Sequence, residues 1–228
     1  MDLVKNGICL STVYDANQRA LIFDSMSTFH NKLYSVEKMV AFLHYAEHGD
    51  VGSMQDLVLQ GLDLTMPDAF GDCPLTRLID DLQVQPREQV LAMVKETVRL
   101  GADPRQLDRD REDVSGPLVG AMLCMDAALL RFLLQAGADP NALQEMGRPV
   151  SLYDWAWADY QLEEWNVNGV PEEPTDADRA TEESRIVFFT RLAVKYGRRR
   201  PDHLAALREF GALAMKEMDV SHRKSLKS

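Results

Sequence analysis

The segment Leu134-Gln135-Ala136-Gly137-Ala138-Asp139-Pro140-Asn141 shares its Gly-Ala-Asp-Pro centre with Leu100-Gly101-Ala102-Asp103-Pro104, which lies 36 residues earlier. A weaker copy, Gln60-Gly61-Leu62-Asp63-Leu64, stands 40 residues before that. Recurrence at a period of roughly 20–50 residues marks a chain of stacked units, none of which can bury its apolar side alone. Each copy also closes an apolar helical pattern. Leu129, Leu130, Leu133 and Leu134 recur at helical spacing in the clearest one, and Val90, Leu91, Val94, Val98 and Leu100 do so in the one before. The glycine that follows is a helix-end signal, because it adopts the left-handed backbone that a side chain resists.

Upstream of these helices a second element repeats. Asp68-Ala69-Phe70-Gly71-Asp72-Cys73-Pro74-Leu75 reads as a turn leading to a proline at a helix start, where its missing N–H is not needed. Gly116-Pro117-Leu118 repeats its end, and Gly147-Arg148-Pro149-Val150 repeats it loosely. Together these segments resemble the ankyrin repeat, which runs roughly Asp-x-x-Gly-x-Thr-Pro-Leu, a short helix, a tight turn, and a second helix ending Leu-Leu before Gly-Ala-Asp-x-Asn. Leu133 to Asn141 matches the end of that pattern. Asp68 to Leu75 matches its start, with Cys73 in the threonine place. The resemblance covers about residues 36–156.

The fold expected from this resemblance is all-α, an ankyrin-repeat solenoid of three to four irregular repeats with helical caps at both ends. The expected organisation is one continuous solenoid domain in three parts: an N-terminal segment and capping helix over 1–35, repeats over 36–165, and an inserted acidic loop with C-terminal capping helices over 166–228. Ala20, Leu21, Phe23 and Met26 suit the first cap. Ile186, Val187, Phe189, Leu192 and Ala193, then Leu204, Leu207, Phe210 and Leu213, suit the last two. Three departures stand out: Pro86 between two helices, a long charged loop from Leu107 to Ser115, and the stretch 166–180 with Gly169, Pro171 and Pro174.

Composition bounds the partner. The 228-residue chain has 46% apolar and 27% charged residues and a formal net charge of −11. An excess of acid argues against nucleic acid or an anionic membrane, and it speeds encounter with a basic protein. The cysteines Cys9, Cys73 and Cys124 are far apart and odd in number, which fits reduced thiols better than a disulfide framework. The apolar run Ile8 to Val13 is too short for a signal-peptide core, and no stretch nears the ~20 apolar residues of a membrane helix. A cytoplasmic location is expected.

Two motifs raise metal chemistry. His44-Tyr45-Ala46-Glu47-His48 has the H-x-x-E-H spacing of inverted zinc-protease sites, with both histidines on one helix face. It also falls just before Gly49-Asp50, where the repeat closes its first helix, and no third ligand can be singled out. A metal-dependent hydrolase using His44, Glu47 and His48 is therefore the weakest alternative. The run Asp108 to Asp113 lacks the glycine and glutamate of a calcium loop, having Asp113 and Val119 in those places. Neither a Gly-rich phosphate loop nor a Gly-x-Ser-x-Gly elbow occurs. No enzyme activity and no cofactor is expected.

Ankyrin stacks bind proteins along turn tips and first helices. Carried onto this chain, that resemblance points to Asp68 and Phe70, to Asp108, Asp110, Arg111, Glu112 and Asp113, and to Glu145 and Met146. All three tryptophans lie between Trp155 and Trp165. Trp155 and Trp157 point about 200° apart on a helix, so one of them faces outward. Trp155 occupies a packing position of the repeat, which leaves Trp157, with Tyr160 near its face, as the expected contact. Glu163 and Glu164 open an acidic run to Glu183 that suits basic side chains. Irregular repeats of this kind are similar to small bacterial ankyrin proteins, some of which neutralise toxins. The leading expectation is an inhibitor or immunity protein for a basic partner such as a toxin enzyme. The alternative is a cytosolic adaptor or regulatory scaffold.

Overall fold

A computed structural model describes residues 36–68, 71–108, 116–145, 149–165 and 169–218 of the chain. The expected capping helix within 15–29 lies outside them. Helix α1 covers 36–47 and α2 covers Val51–Leu59. There follow α3 (Pro74–Asp81), α4 (Arg87–Arg99), α5 (Pro117–Leu123) and α6 (Ala127–Gln135). A small antiparallel ribbon pairs β1 (Leu143–Glu145) with β2 (Pro149–Ser151), Leu143 opposite Ser151. Then come α7 (Leu152–Trp165), the single turn α8 (Asp176–Arg179), α9 (Glu182–Tyr196), α10 (Asp202–Glu209) and a last turn, α11, over 215–218.

The repeated sequence segments form equivalent corners. Gly61, Gly101, Gly137 and Gly211 all have positive φ, between +82° and +117°. At each, the glycine N–H donates to the carbonyl three residues back and the next N–H donates five back: Gly101 to Val98 and Ala102 to Thr97, for example, or Gly137 to Leu134 and Ala138 to Leu133. This double bond satisfies the orphan carbonyls at the end of the helix. After three of the corners an aspartate carboxylate accepts the N–H two residues on: Asp63 from Thr65, Asp103 from Arg105 and Asp139 from Asn141, all at 2.8–2.9 Å. Successive corners are tied directly. Gln106 Nε2 donates to Thr65 O at 2.7 Å, while Asn141 bridges Gly211 O and Leu213 N.

The helices lie in two rows. α3 packs on α5 and α5 on α7, whereas α4 packs on α6 and α6 on α10. Short first helices start on Pro74 and Pro117, and aspartates cap two of the second ones. Asp50 accepts from Ser53 N, and Asp126 accepts from Ala128 N and Leu129 N. One connected cluster of buried side chains runs from Met39 and Phe42 to Ala212 and Ala214.

Packing places the helices of the C-terminal third. The sequence groups 202–217 with the caps, and α10 packs chiefly on α6 and also meets α7. Its end, Leu207 to Ala212, repeats the hydrogen bonds of Leu133 to Ala138. The helix expected near 182–197 is present as α9, and the stretch 166–180 holds the single turn α8. α9 lies against α10 and, through its phenylalanines, against α7.

Candidate partner-binding surface

α7 is buried on more than one side, and this decides which of its residues reach solvent. Leu152, Tyr153, Ala156, Trp157, Tyr160 and Trp165 are buried. Trp155, Ala158, Asp159, Leu162 and Glu163, spaced 3, 1, 3 and 1 residues apart, form the outward stripe, half-buried at Trp155 and Asp159 and open at the other three. The expected exposure of Trp157 and Tyr160 is therefore corrected: they are 3% and 0% exposed. Phe189 of α9 lies 5.1 Å from the Trp157 ring and 6.2 Å from the Tyr160 ring, both edge-on. The Arg185 guanidinium sits 4.1 Å from the Trp157 ring centre. Tyr160 donates its hydroxyl to Arg199 O at 2.8 Å, and burial pushes the phenol up to about 12. A second wall of aromatic side chains, supplied by α9, has made a packing residue of Trp157.

The acidic run is corrected in the same way, because most of it is neutralised by the chain's own cations. Glu164 meets Arg199, with Nε at 3.6 Å. Glu172 accepts from Lys195 and from Tyr196, and this holds its carboxyl below the usual range. Glu173 pairs with Arg179 at 3.1 Å. Glu182, only 6% exposed, takes Lys216 at 2.5 Å, Arg185 at 3.6 Å and the Tyr153 hydroxyl at 3.4 Å. Glu183 pairs with Arg208 at 2.7 Å, a hydrogen bond that lowers its pKa. Asp178 caps α8 through Thr175. Local charge pairing in sequence-distant partners, Arg199 and Arg208 above all, has converted an acidic stretch into a structural network.

Asp159 and Glu163 are different. Among the described residues neither carboxylate has a lysine or arginine within ion-pair distance. They stand four apart on the outward stripe of α7. Burial first, and then the Glu163 charge, raise the pKa of Asp159. Like charges at this spacing oppose the helix. Leu162, between them on the same stripe, is 55% exposed.

The neighbouring first helices continue the row. A side chain at Gly120 would come within 3.1 Å of Ile79, so α5 sits close on α3. Leu123 is 46% exposed at the end of α5. Asp81 of α3 pairs with Arg77 at 3.7 Å. The Cys124 thiol is pushed up by burial first and then by the Asp80 and Asp126 carboxylates, which disfavours the thiolate a nucleophile needs.

The turn tips contribute less than expected. Asp108 is buried and accepts from Cys73 N at 2.7 Å, so it ties two units together and does not project. Asp68 holds its own turn, its carboxylate accepting from Asp72 N at 3.0 Å. Phe70, Asp110, Arg111, Glu112, Asp113 and Met146 lie outside the described residues, as does the side chain of Glu145. At the end of α1, the exposed side chains of His44, Glu47 and His48 bring ligand atoms within 4.8 Å of one another. Among the described residues no helix is long and apolar enough to cross a membrane. No family model matches the chain, and no curated protein matches it.

Proposed function

We propose that this chain is a protein-binding module built of ankyrin-like helix pairs, and that it inhibits a basic partner by occupying it with the first-helix row. The observation that carries this reading is the stripe on α7. There Asp159 and Glu163 flank exposed Leu162 with no cation in ion-pair reach among the described residues, while Glu164 and Glu172 are paired. A carboxylate pair kept against helix stability, beside exposed apolar surface, gains most when a basic side chain arrives. Leu162, Leu123 and the open edge of Trp155 would supply apolar contact, and the two acids would supply steering and register. The equivalent corners at Gly61, Gly101, Gly137 and Gly211 support the helix-pair reading.

The experiment is affinity capture from the native cell with the wild-type chain and with an Asp159→Asn/Glu163→Gln variant. A basic protein retained one-to-one by the wild type, and weakened roughly tenfold or more by the variant, would support an inhibitor. Activity of that captured partner should fall when the chain binds. Retention that ignores both the substitutions and added salt would defeat the proposal. Capture of several neutral proteins without loss of their activity would favour an adaptor.

A further inference from the structure

The last turn of α1 carries a second group of exposed polar side chains. His44, Glu47 and His48 occupy positions i, i+3 and i+4 of one helix face. All three side chains are exposed, and one ligand-capable atom from each lies within 4.8 Å of the other two. The imidazole rings of His44 and His48 are 4.4 Å apart, centre to centre. Tetrahedral zinc holds its nitrogen and oxygen donors about 3.3–3.5 Å apart, given bonds of about 2.0–2.2 Å. Small rotations of exposed side chains cover the difference.

Three further observations favour a cation here. His48 Nδ1 lies 2.8 Å from His44 O. A carbonyl only accepts, so Nδ1 carries the proton and Nε2 keeps its lone pair for a metal. This is the arrangement in which a backbone carbonyl orients a ligating imidazole. The site also lies at a helix C-terminus, where the aligned carbonyls favour positive charge. Its backbone is anchored to the next pair, because Gln89 of α4 donates Nε2–H to Glu47 O at 2.8 Å.

We infer that His44, Glu47 and His48 form a surface site for a divalent transition-metal ion of the zinc class. Two imidazoles and one carboxylate suit zinc, nickel or copper, whereas calcium and magnesium require more oxygen ligands. Three protein ligands leave at least one coordination position open to water or to a side chain of another molecule. The inference is independent of the surface on α7.

The test is calorimetric titration of the tag-free full chain, stripped with a chelator, with zinc chloride alone. One ion per chain with a micromolar or tighter dissociation constant is expected. His44→Gln and His48→Gln should each weaken binding at least about tenfold, the scale on which lost ligand support acts. Cobalt(II) in place of zinc should give a visible absorption band that both variants lose. The side chains are exposed, so circular dichroism should match wild type in every variant. Absence of binding, wild-type affinity in the double variant, or equal affinity for magnesium would each overturn the assignment.

Discussion

Met125 takes a left-handed backbone (φ +49°) at the position where Gly49 (φ +69°) ends the first helix of an earlier pair. At both, the residue and its successor make the same two hydrogen bonds, Met125 to Met122 and Asp126 to Ala121, as Gly49 to Ala46 and Asp50 to Tyr45. The strain of a side chain there is about 1–2 kcal/mol. Met125 is 5% exposed, and losing a buried methionine side chain costs about 2–5 kcal/mol. Packing therefore outweighs strain, and Met125→Gly should lower stability by about 1–3 kcal/mol in urea unfolding. The opposite balance holds at Gly101 (φ +117°), where an added Cβ would touch nothing within 4 Å. Gly101→Ala should cost about 1–2 kcal/mol through the backbone alone. A neutral result there would contradict the account of the corners.

Single titrating groups make a further prediction. His203 is 1% exposed, and burial first of all lowers it from 6.5 to about 4. The unfolded chain takes up the proton while the folded one does not. This stabilisation is full above pH 6.5 and is lost as pH falls towards 4, by up to about 3 kcal/mol. His203→Phe should flatten that part of an acid-unfolding profile followed by circular dichroism. Asp159 has the other sign. Its pKa is raised, so the folded state holds the proton more readily and the ionised group destabilises once pH rises through that value. Asp159→Asn should gain about 0.2–0.5 kcal/mol at neutral pH while weakening partner capture.

At the scale of elements, α10 and α7 separate what pattern reveals from what packing decides. The end of α10, Leu207-Arg208-Glu209-Phe210-Gly211-Ala212, copies Leu133-Leu134-Gln135-Ala136-Gly137-Ala138 in its glycine, its alanine and its first leucine. That signal is present, but the 74-residue spacing of the two glycines hides it behind the insertion. Leu133 and Leu207, both 0% exposed, accept the equivalent hydrogen bonds. Leu133→Ala and Leu207→Ala should cost similar amounts, about 2–5 kcal/mol each. A Leu207→Ala loss under 1 kcal/mol would contradict its burial in the shared core. For α7 the tryptophan spacing showed that Trp155 and Trp157 diverge. Which of them is covered depends on α9, a helix more than twenty residues away in sequence whose Phe189 meets Trp157.

Over the whole molecule, the charge pattern illustrates the same division. The acidic run from Glu163 to Glu183 and the basic residues after it are visible as composition. Their mutual neutralisation, Glu172 with Lys195, Glu183 with Arg208 and Glu164 with Arg199, follows only from α9 and α10 folding back beside α7. Solvent screens pairs of this kind, so each contributes little to stability. Salt should therefore change stability little while reducing capture of a basic partner markedly. Expectation and structure agree on the helical pairs and their glycine corners because these depend on local chemistry: apolar spacing, proline at a first turn, glycine at a left-handed end. Sequence alone thus determined that the chain builds repeated helices with a common apolar interior, since periodicity and backbone preference act within a few residues. Only the tertiary structure decided which side of α7 meets solvent, which acids keep an unpaired charge, and that Asp108 turns inward. Burial and ion pairing depend on the side chains that distant elements bring alongside.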